Sequence, residues 1–295
     1  MEFRNKDGLT EKEFLEQYKP GDYERPSATV DMLLFTVDDS KIENNRQMPE
    51  KELKILLIKR KDHPFMGHWA IPGGFVDINE DIDNAVYREL KEETNIENVF
   101  MEQLYTWGKA NRDPRMRVIS TSYLALVSKE GLNPVAGDDA EEVKWFTVKK
   151  ESLEVSENEE IHSLVLTSDD GEIVITNKVI ETFKKNGVIK TKESKVISDS
   201  EIKLAFDHSD IINLAIDRLR GKLEYTDIAF NLLPKYFTLT ELQKVYEAIL
   251  GKTLIASNFR RDIKHKLEET DKISDQSPIG KKTAFRPAKL FKYRG

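Results

Sequence analysis

Apolar residues recur along this chain in two periods, and the changes of period mark its elements. ATVDMLLFTV (28–37) and ELKILLIKR (52–60) are β-branched, apolar-rich runs that predict strands joined by the polar loop 38–51. VFMEQLYTWG (99–108) and VISTSYLALV (118–127) predict a second strand pair, KWFTV a further strand, and residues 161–179 a hairpin turning at Asp169-Asp170-Gly171. Within 73–96 the period becomes helical: Ile82, Ala85, Val86 and Leu90 recur at i, i+3, i+4 and i+8, one apolar stripe. Thr10 and Glu13 predict a capping box opening a short helix over 11–18 that packs through Phe14, Leu15 and Tyr18.

Further on, 184–201 is rich in Lys, Ser and Glu and reads as an exposed excursion. A helix then starts near Ser209, with Ile211, Ile212, Ala215 and Leu219 inward and Gly221 as its stop. Two domains are therefore expected, 1–222 and 223–295. In the second, YTDIAFNLL, LTELQKVYEAIL and SNFRRDIKHKLEE predict three short helices. A Thr238/Glu241 capping box opens the middle one and Gly251 stops it. Phe259, Ile263 and Leu267 share a face of the third, with Arg260, Arg261 and Lys264 elsewhere, and GKKTAFRPAKLFKYR alternates basic and apolar residues like a β-wing. Helix, helix, basic helix and strand pair is the plan of a winged helix-turn-helix, whose third helix enters the major groove.

The stretch that carries chemistry is GGFVDINEDIDNAVYRELKEETNI, residues 73–96. Asp77 with Glu80 looks like a capping box at the positive end of the helix dipole. At about 100° per residue, Glu89 and Glu93 project almost along the apolar stripe and Glu92 lies beside it. Most Glu-rich runs are solvated faces. Here three carboxylates are aimed toward the protein body, where partial desolvation is costly unless a hard cation with oxygen ligands balances them. His63 and His68 flank the preceding loop and are expected to be structural.

The spacing Gly74, five residues, Glu80, seven residues, then Arg88-Glu89-Leu90-Lys91-Glu92-Glu93-Thr94-Asn95-Ile96 resembles the Nudix box, G-x5-E-x7-R-E-U-x-E-E-x-G-U with U apolar. The one departure is Asn95 in place of the last glycine, a helix-ending position for which Asn is the next-best residue. YERPSATVDMLLF, this box, QLYTWG with RDPRMR, LAFDH, and FTLTELQKVYEAILGK with NFRR and RPAKLF follow the order seen in two-domain bacterial Nudix proteins. That group includes ADP-ribose pyrophosphatases and Nudix-related transcriptional regulators of NAD and sugar metabolism.

The resemblance implies an α/β fold, a Nudix α/β/α sandwich with a mixed sheet plus a C-terminal winged helix-turn-helix domain. It implies Mg²⁺ or Mn²⁺ held by Glu89, Glu92 and Glu93 with the Gly74 carbonyl, Glu80 assisting and Arg88 orienting the acids. Glu89 and the acids of the 139–142 loop stay open as general base. The expected reaction is hydrolysis of a nucleoside diphosphate derivative, foremost ADP-ribose to AMP and ribose 5-phosphate. The alternative is an ADP-ribose-responsive repressor with little or no catalysis. Arg112, Arg115 and Arg117 are either a solvated turn or a diphosphate clamp, and Trp107 either core or a platform for a base.

Charge changes the picture in one respect. Residues 252–295 hold 12 Lys+Arg against 5 Asp+Glu, +7, and since the whole chain is −7 the remainder is −14. An acidic body with a basic end suggests double-stranded DNA for the end, contacted through Arg260, Arg261 and Lys264, with a homodimer as the expected assembly. The absence of cysteine excludes disulfides and Cys-ligated metals. No apolar run approaches membrane-spanning length and MEFRNKDG lacks a signal peptide's apolar region, so a cytoplasmic location and no membrane partner are expected.

Overall fold

The computed structural model describes residues 3–22, 24–40, 50–97, 99–129, 132, 134–137, 140–274 and 287–295. α1 (Glu11–Gln17) opens with the expected capping box, the Glu13 N–H donating to Thr10 Oγ1 and the Thr10 N–H to the Glu13 carboxylate. Its predicted packing does not occur. No residue of α1 is buried, and Phe14 and Tyr18 lean on each other with ring centroids 5.7 Å apart.

β1 (Ser27–Asp39) and β2 (Lys51–Arg60) pair antiparallel, and residues 41–49 of their predicted loop lie outside the described residues. The short strands β3 (Trp69–Ala70) and β4 (Gly73–Phe75) add to β2 and β1 respectively. After α2 (Ile82–Thr94) come β5 (Glu102–Trp107), β6 (Val118–Leu126), β7 (Ala140–Val155), β8 (Glu159–Ser168), β9 (Val174–Asn186) and β10 (Ile189–Ser198). They form one sheet in the order β10-β9-β8-β7-β2-β1-β6-β5, with β1 and β6 parallel and the other neighbours antiparallel, the expected mixed sheet.

The excursion predicted for 184–201 is instead the end of β9 and the whole of β10. Asn186 pairs with Ile189 across Gly187 (φ 61°) and Val188, a two-residue hairpin loop with glycine first. β10 is the outermost strand and polar on both faces, so no alternation betrays it.

Alternate residues of β1 serve opposite faces of the sheet. Val30, Met32 and Leu34 pack with Ala85, Val86 and Leu90 of α2, whereas Leu33 and Phe35 join the larger core on the other side. That larger core is closed by α3 (His208–Tyr225), which buries Ile211, Ile212, Ala215 and Leu219 as expected. Gly221 is not its stop. The backbone there stays helical and the helix runs on to Thr226, whose N–H and hydroxyl both donate to the Lys222 carbonyl at 2.8 Å. The expected domain boundary at 222/223 thus falls inside α3.

A 3-10 turn (Ile228–Leu232) leads to α4 (Leu239–Leu250), which has its Thr238/Glu241 capping box and ends at Gly251 in the left-handed region (φ 67°). α5 (Ala256–Ile263) is shorter than predicted. Lys264–Lys266 form a 3-10 turn and Leu267 opens β11 (Leu267–Ile273), which pairs with β12 (Lys289–Tyr293), so LEE belongs to the wing, while residues 275–286 lie outside the described residues. Phe259, Ile263 and Leu267 are nonetheless all buried.

The two parts share one core. Leu57, Leu219 and Leu223 belong to the same apolar cluster as Phe230, Val245, Ile249 and Phe259. Arg220 on α3 fastens them further, donating from Nε to the Ile249 carbonyl at the end of α4 (3.2 Å) and from Nη2 to the Lys150 carbonyl on β7 (3.3 Å). We therefore expect one unfolding transition, not two. Trp fluorescence, whose reporters Trp69, Trp107 and Trp145 all lie in the sheet and none in the winged helix, and far-UV circular dichroism should melt together. Leu219→Ala should lower both midpoints by the equivalent of about 2–5 kcal/mol. Separate transitions would show that the core is divided.

Candidate functional site

The site is built where β4 crosses α2. β4 pairs with β1, Gly73 opposite Asp31 and Gly74 opposite Val30, and a Cβ on Gly73 would lie 2.1 Å from the Val30 carbonyl oxygen. A Cβ on Gly74 would lie 2.3–2.4 Å from the Glu89 carboxylate. Gly73 thus lets β4 close on β1, and Gly74 lets Glu89 of α2 rest directly on the loop backbone. Glu93 is buried and accepts from the Gly73 N–H at 2.5 Å. Asn95 ends the helix in the left-handed region (φ 57°, ψ 25°), its N–H donating to the Lys91 carbonyl, which is the role expected of it.

Arg88 ties the acids together. It donates to both oxygens of Glu80 (2.9 and 2.8 Å), to Glu89 (2.7 Å), to Glu92 (3.1 Å) and to the Phe75 carbonyl (3.0 Å). Its hydrogen bond to Glu80 raises the guanidinium pKa and lowers that of Glu80, whereas burial pushes the Glu89 carboxyl up. Two expectations are corrected here. α2 begins at Ile82 behind Asp81, so Asp77 and Glu80 form a turn before the helix, and Glu80 serves Arg88. Glu92 stands at the rim with its side chain 60% exposed instead of facing the body.

The donor chemistry of this set suits a hard cation, although its ligand atoms are not gathered within 4.8 Å of one another as those of Glu160, His162 and Glu181 are. One guanidinium answers three carboxylates, Glu80, Glu89 and Glu92, and Glu89 and Glu93 flank a backbone cradle that any side chain at 74 would fill.

Opposite α2, the cavity of about 390 Å³ is walled by Arg112, Arg115, Phe206 and His208. A larger cleft of about 830 Å³ between sheet and winged helix reaches none of the α2 acids of the box, so the chemistry belongs to the smaller one. Arg112 is buried and bidentate to Asp207 (3.0 and 2.7 Å), with Asp31 at 3.5 Å. Arg115 is bidentate to Asp113 (3.1 and 2.8 Å) and lines the cavity. The structure does not bring Arg117 or Trp107 there. Arg117 spends its guanidinium on the Lys109 and Gly108 carbonyls, and Trp107 packs on the core with its indole N–H donating to Ser122.

Gly137 abuts the end of α2, its N–H donating to the Glu93 carbonyl at 3.2 Å. Asp138 and Asp139 lie outside the described residues, and Glu141 and Glu142 are paired with Lys59. Of the two histidines expected to be structural, His63 lines the cavity and His68 lies near the Met66 carbonyl.

Sequence reasoning missed Asp31 and His208. Asp31 is buried and accepts from Ser120 Oγ at 2.5 Å. His208 is buried, its Nδ1 accepts from the Ile71 N–H at 2.9 Å, and Nε2 lies 3.7 Å from Asp31. An acid inside the apolar run ATVDMLLF was the available signal.

At the other end, α5 buries Phe259 and Ile263 and exposes Arg260 and Arg261, followed by exposed Lys264. β11 and β12 stand beside it as the wing, held by Tyr293 donating to Asp227.

A helix-borne carboxylate cluster on a glycine loop, set in a mixed sheet and followed by a winged helix, defines a two-domain Nudix protein. Comparison with known families agrees: residues 42–169 match the NUDIX domain and residues 229–293 the NrtR DNA-binding winged helix domain. The chain is 33% identical to the ADPR responsive transcriptional repressor NtrR of Acinetobacter baylyi over 96% of its length and 88% of that protein's. Among solved structures it resembles a MutT/nudix family protein from Enterococcus faecalis (TM-score 0.67, 32% identity, 97% and 94% of the two chains). It also resembles the NrtR of Shewanella oneidensis complexed with a 27mer DNA (TM-score 0.56, 28% identity, 90% and 93%). The chain belongs to the NrtR-type Nudix family.

Burial lowers the His208 pKa from its ordinary 6.5, so protons bind the unfolded chain in preference to the folded one. The associated stability is complete above about pH 6.5 and declines as pH falls below it. His208→Asn keeps an acceptor for Ile71 without a titrating ring. Urea midpoints measured between about pH 7 and 5 should fall less steeply for this variant than for wild type. Parallel slopes would place the acid sensitivity elsewhere.

Proposed function

We propose that this chain is a DNA-binding repressor responsive to ADP-ribose, and that its Nudix site also retains the groups for hydrolysis. One observation carries the reading: a carboxylate-lined cavity and a winged helix with exposed cations on α5 are built on one continuous core. The A. baylyi relative, a repressor described as ADPR responsive, supports the effector, and the NrtR–DNA complex supports double-stranded DNA as the partner. Arg260, Arg261 and Lys264 are assigned to DNA, with two copies of the chain bound together. The working division of the chain lies at Thr226, where α3 ends.

In this reading Glu89, Glu92 and Glu93 with the Gly74 carbonyl would hold Mg²⁺ or Mn²⁺, and Glu80 would act through Arg88. Such a cation neutralises a diphosphate and lowers the pKa of a water. The chain's own residues do the rest. Arg88 orients Glu80, Glu89 and Glu92 together. Arg115 offers a guanidinium to the diphosphate, and Arg112, engaged by Asp207, stiffens the wall behind it. Of the acids considered for the general base, Glu89 lines the cavity, whereas Glu141 and Glu142 are paired with Lys59. The intact acids favour a second reading, that ADP-ribose is cleaved to AMP and ribose 5-phosphate.

Glu92→Gln and Glu93→Gln should each remove most metal-dependent release of AMP from ADP-ribose while the fold persists. Near wild-type rates in either variant would remove that residue from the metal set. If wild type releases no AMP, the repressor reading stands alone.

Arg260→Ala with Arg261→Ala should weaken binding to the protein's own upstream DNA and reduce the slope of log K against log salt by about 2, one counterion per lost phosphate contact. A gel shift at low salt reads this, and wild type failing to bind would overturn the DNA assignment. Saturating ADP-ribose, with Glu92→Gln to protect it from cleavage, should lower DNA affinity about 5–150-fold. Unchanged affinity with bound ligand would mean that the site and the winged helix are not coupled.

A further inference from the structure

Away from the cavity, the face of the sheet turned to α3 carries a second concentration of charge. Glu160 on β8 stands directly opposite Glu181 on β9, and His162 lies two residues along β8 on the same face. Like charges directly opposite one another weaken a sheet, and Glu181 is buried as well. Two ammoniums answer it in part. Lys150 donates to Glu181 Oε1 at 2.8 Å and to Asp217 on α3 at 2.7 Å. Lys192 donates to Glu181 Oε2 at 3.1 Å and also to Asp217. Neither pairs with Glu160, whose one ion-pair partner among the described residues is His162. Three carboxylates against two ammoniums leave one negative charge without an answer.

His162 sits between the two glutamates. Its Nε2 is 3.4 Å from Glu160 Oε2 and 3.8 Å from Glu181 Oε2. That nitrogen is shut off from solvent and has no hydrogen-bond partner among the described residues. A buried ring nitrogen beside two carboxylate oxygens and bonded to neither calls for a third party. One atom from each of the three side chains lies within 4.8 Å of the other two. A four-coordinate zinc with bonds of about 2.0–2.2 Å sets its ligands about 3.3–3.6 Å apart. The spacing of His162 and Glu160 already matches, and the remaining edges close by turning the glutamates about their side-chain bonds. Imidazole with carboxylates suits zinc, whereas α2 offers oxygen alone, the donor set of Mg²⁺ or Mn²⁺.

We propose that Glu160, His162 and Glu181 bind a zinc ion at a second metal site, separate from the acids of α2. A water takes the fourth position, on the side where Glu160 is partly exposed. Lys192, itself partly exposed, gives up Glu181 Oε2 to the metal and keeps Asp217, while Lys150 keeps Oε1. The ion supplies the positive charge that the lysines leave short. It also ties β8 to β9 at the point where Glu181 and the two lysines brace them against α3.

The test is zinc binding to the intact chain with Mg²⁺ in excess, so that the acids of α2 are occupied. Calorimetry should find one zinc per chain in wild type. His162→Gln and Glu160→Gln should each weaken it by at least about 10–100-fold, the loss seen when a residue that merely supports a ligand is removed. Glu89→Gln, which alters only the α2 site, should not change this uptake. Zinc should raise the urea midpoint of wild type, because it binds the folded chain, and have no such effect on His162→Gln. Co²⁺ in its place should show the visible absorption of a tetrahedral ion in wild type and lose it in His162→Gln. Glu160→Gln, at a partly exposed position, serves if His162→Gln does not fold.

No zinc uptake by wild type, or uptake that survives both substitutions, would overturn the site. Uptake lost in Glu89→Gln and kept in His162→Gln would place the zinc among the acids of α2 and overturn it equally.

Discussion

One positive charge has to serve several negative ones at the centre of this molecule. Arg88 gives hydrogen bonds to Glu80, Glu89, Glu92 and the Phe75 carbonyl, and so joins the turn before α2, the helix itself and β4. The arrangement only works because Gly74 has no side chain, which lets Glu89 lie against the backbone. Burial raises the Glu89 carboxyl even with Arg88 beside it, so the guanidinium does not fully offset the cost of taking this carboxylate out of water. The site is short of positive charge by construction. Its oxygen-rich lining suits a cation.

Much of this was legible in the order of residues, because the box packs its chemistry into 24 consecutive positions, 73–96. Glycine, acid and arginine spacings along one helix survive any change in the rest of the fold, and Asn95 could be read as a helix end from its backbone preferences alone. The opposite wall was not legible. Asp31, Ile71, Arg112 and the Asp207-His208 pair come from four distant segments and meet only once the sheet has formed. Residue type misled as well. Three arginines within six residues looked like one cluster, yet Arg112 turns to Asp207, Arg115 to Asp113, and Arg117 to backbone carbonyls. In a loop, neighbouring side chains have no common face to share.

Local signals failed for a different reason at the edges. β10 has no apolar side because it is the last strand, and α1 has an apolar side that none of the described residues buries. Both are cases in which burial, not propensity, decides what a pattern means. Gly221 is the converse: a helix breaker by type, carried through by the apolar residues before and after it, Leu219 and Leu223.

The passage of α3 through Gly221 has a consequence for how such a chain can change over generations. Modules that recombine freely are usually joined by a stretch of chain that neither of them needs. Here the joint is a helix whose first residues wall the cavity and whose later residues hold the end of α4. A crossover inside it would unite halves with mismatched faces, and one beyond it would leave Arg220 reaching for an unfamiliar helix end. The start of α3 and its end are therefore constrained together, since one rigid element has to fit the cavity at His208 and the end of α4 at Arg220.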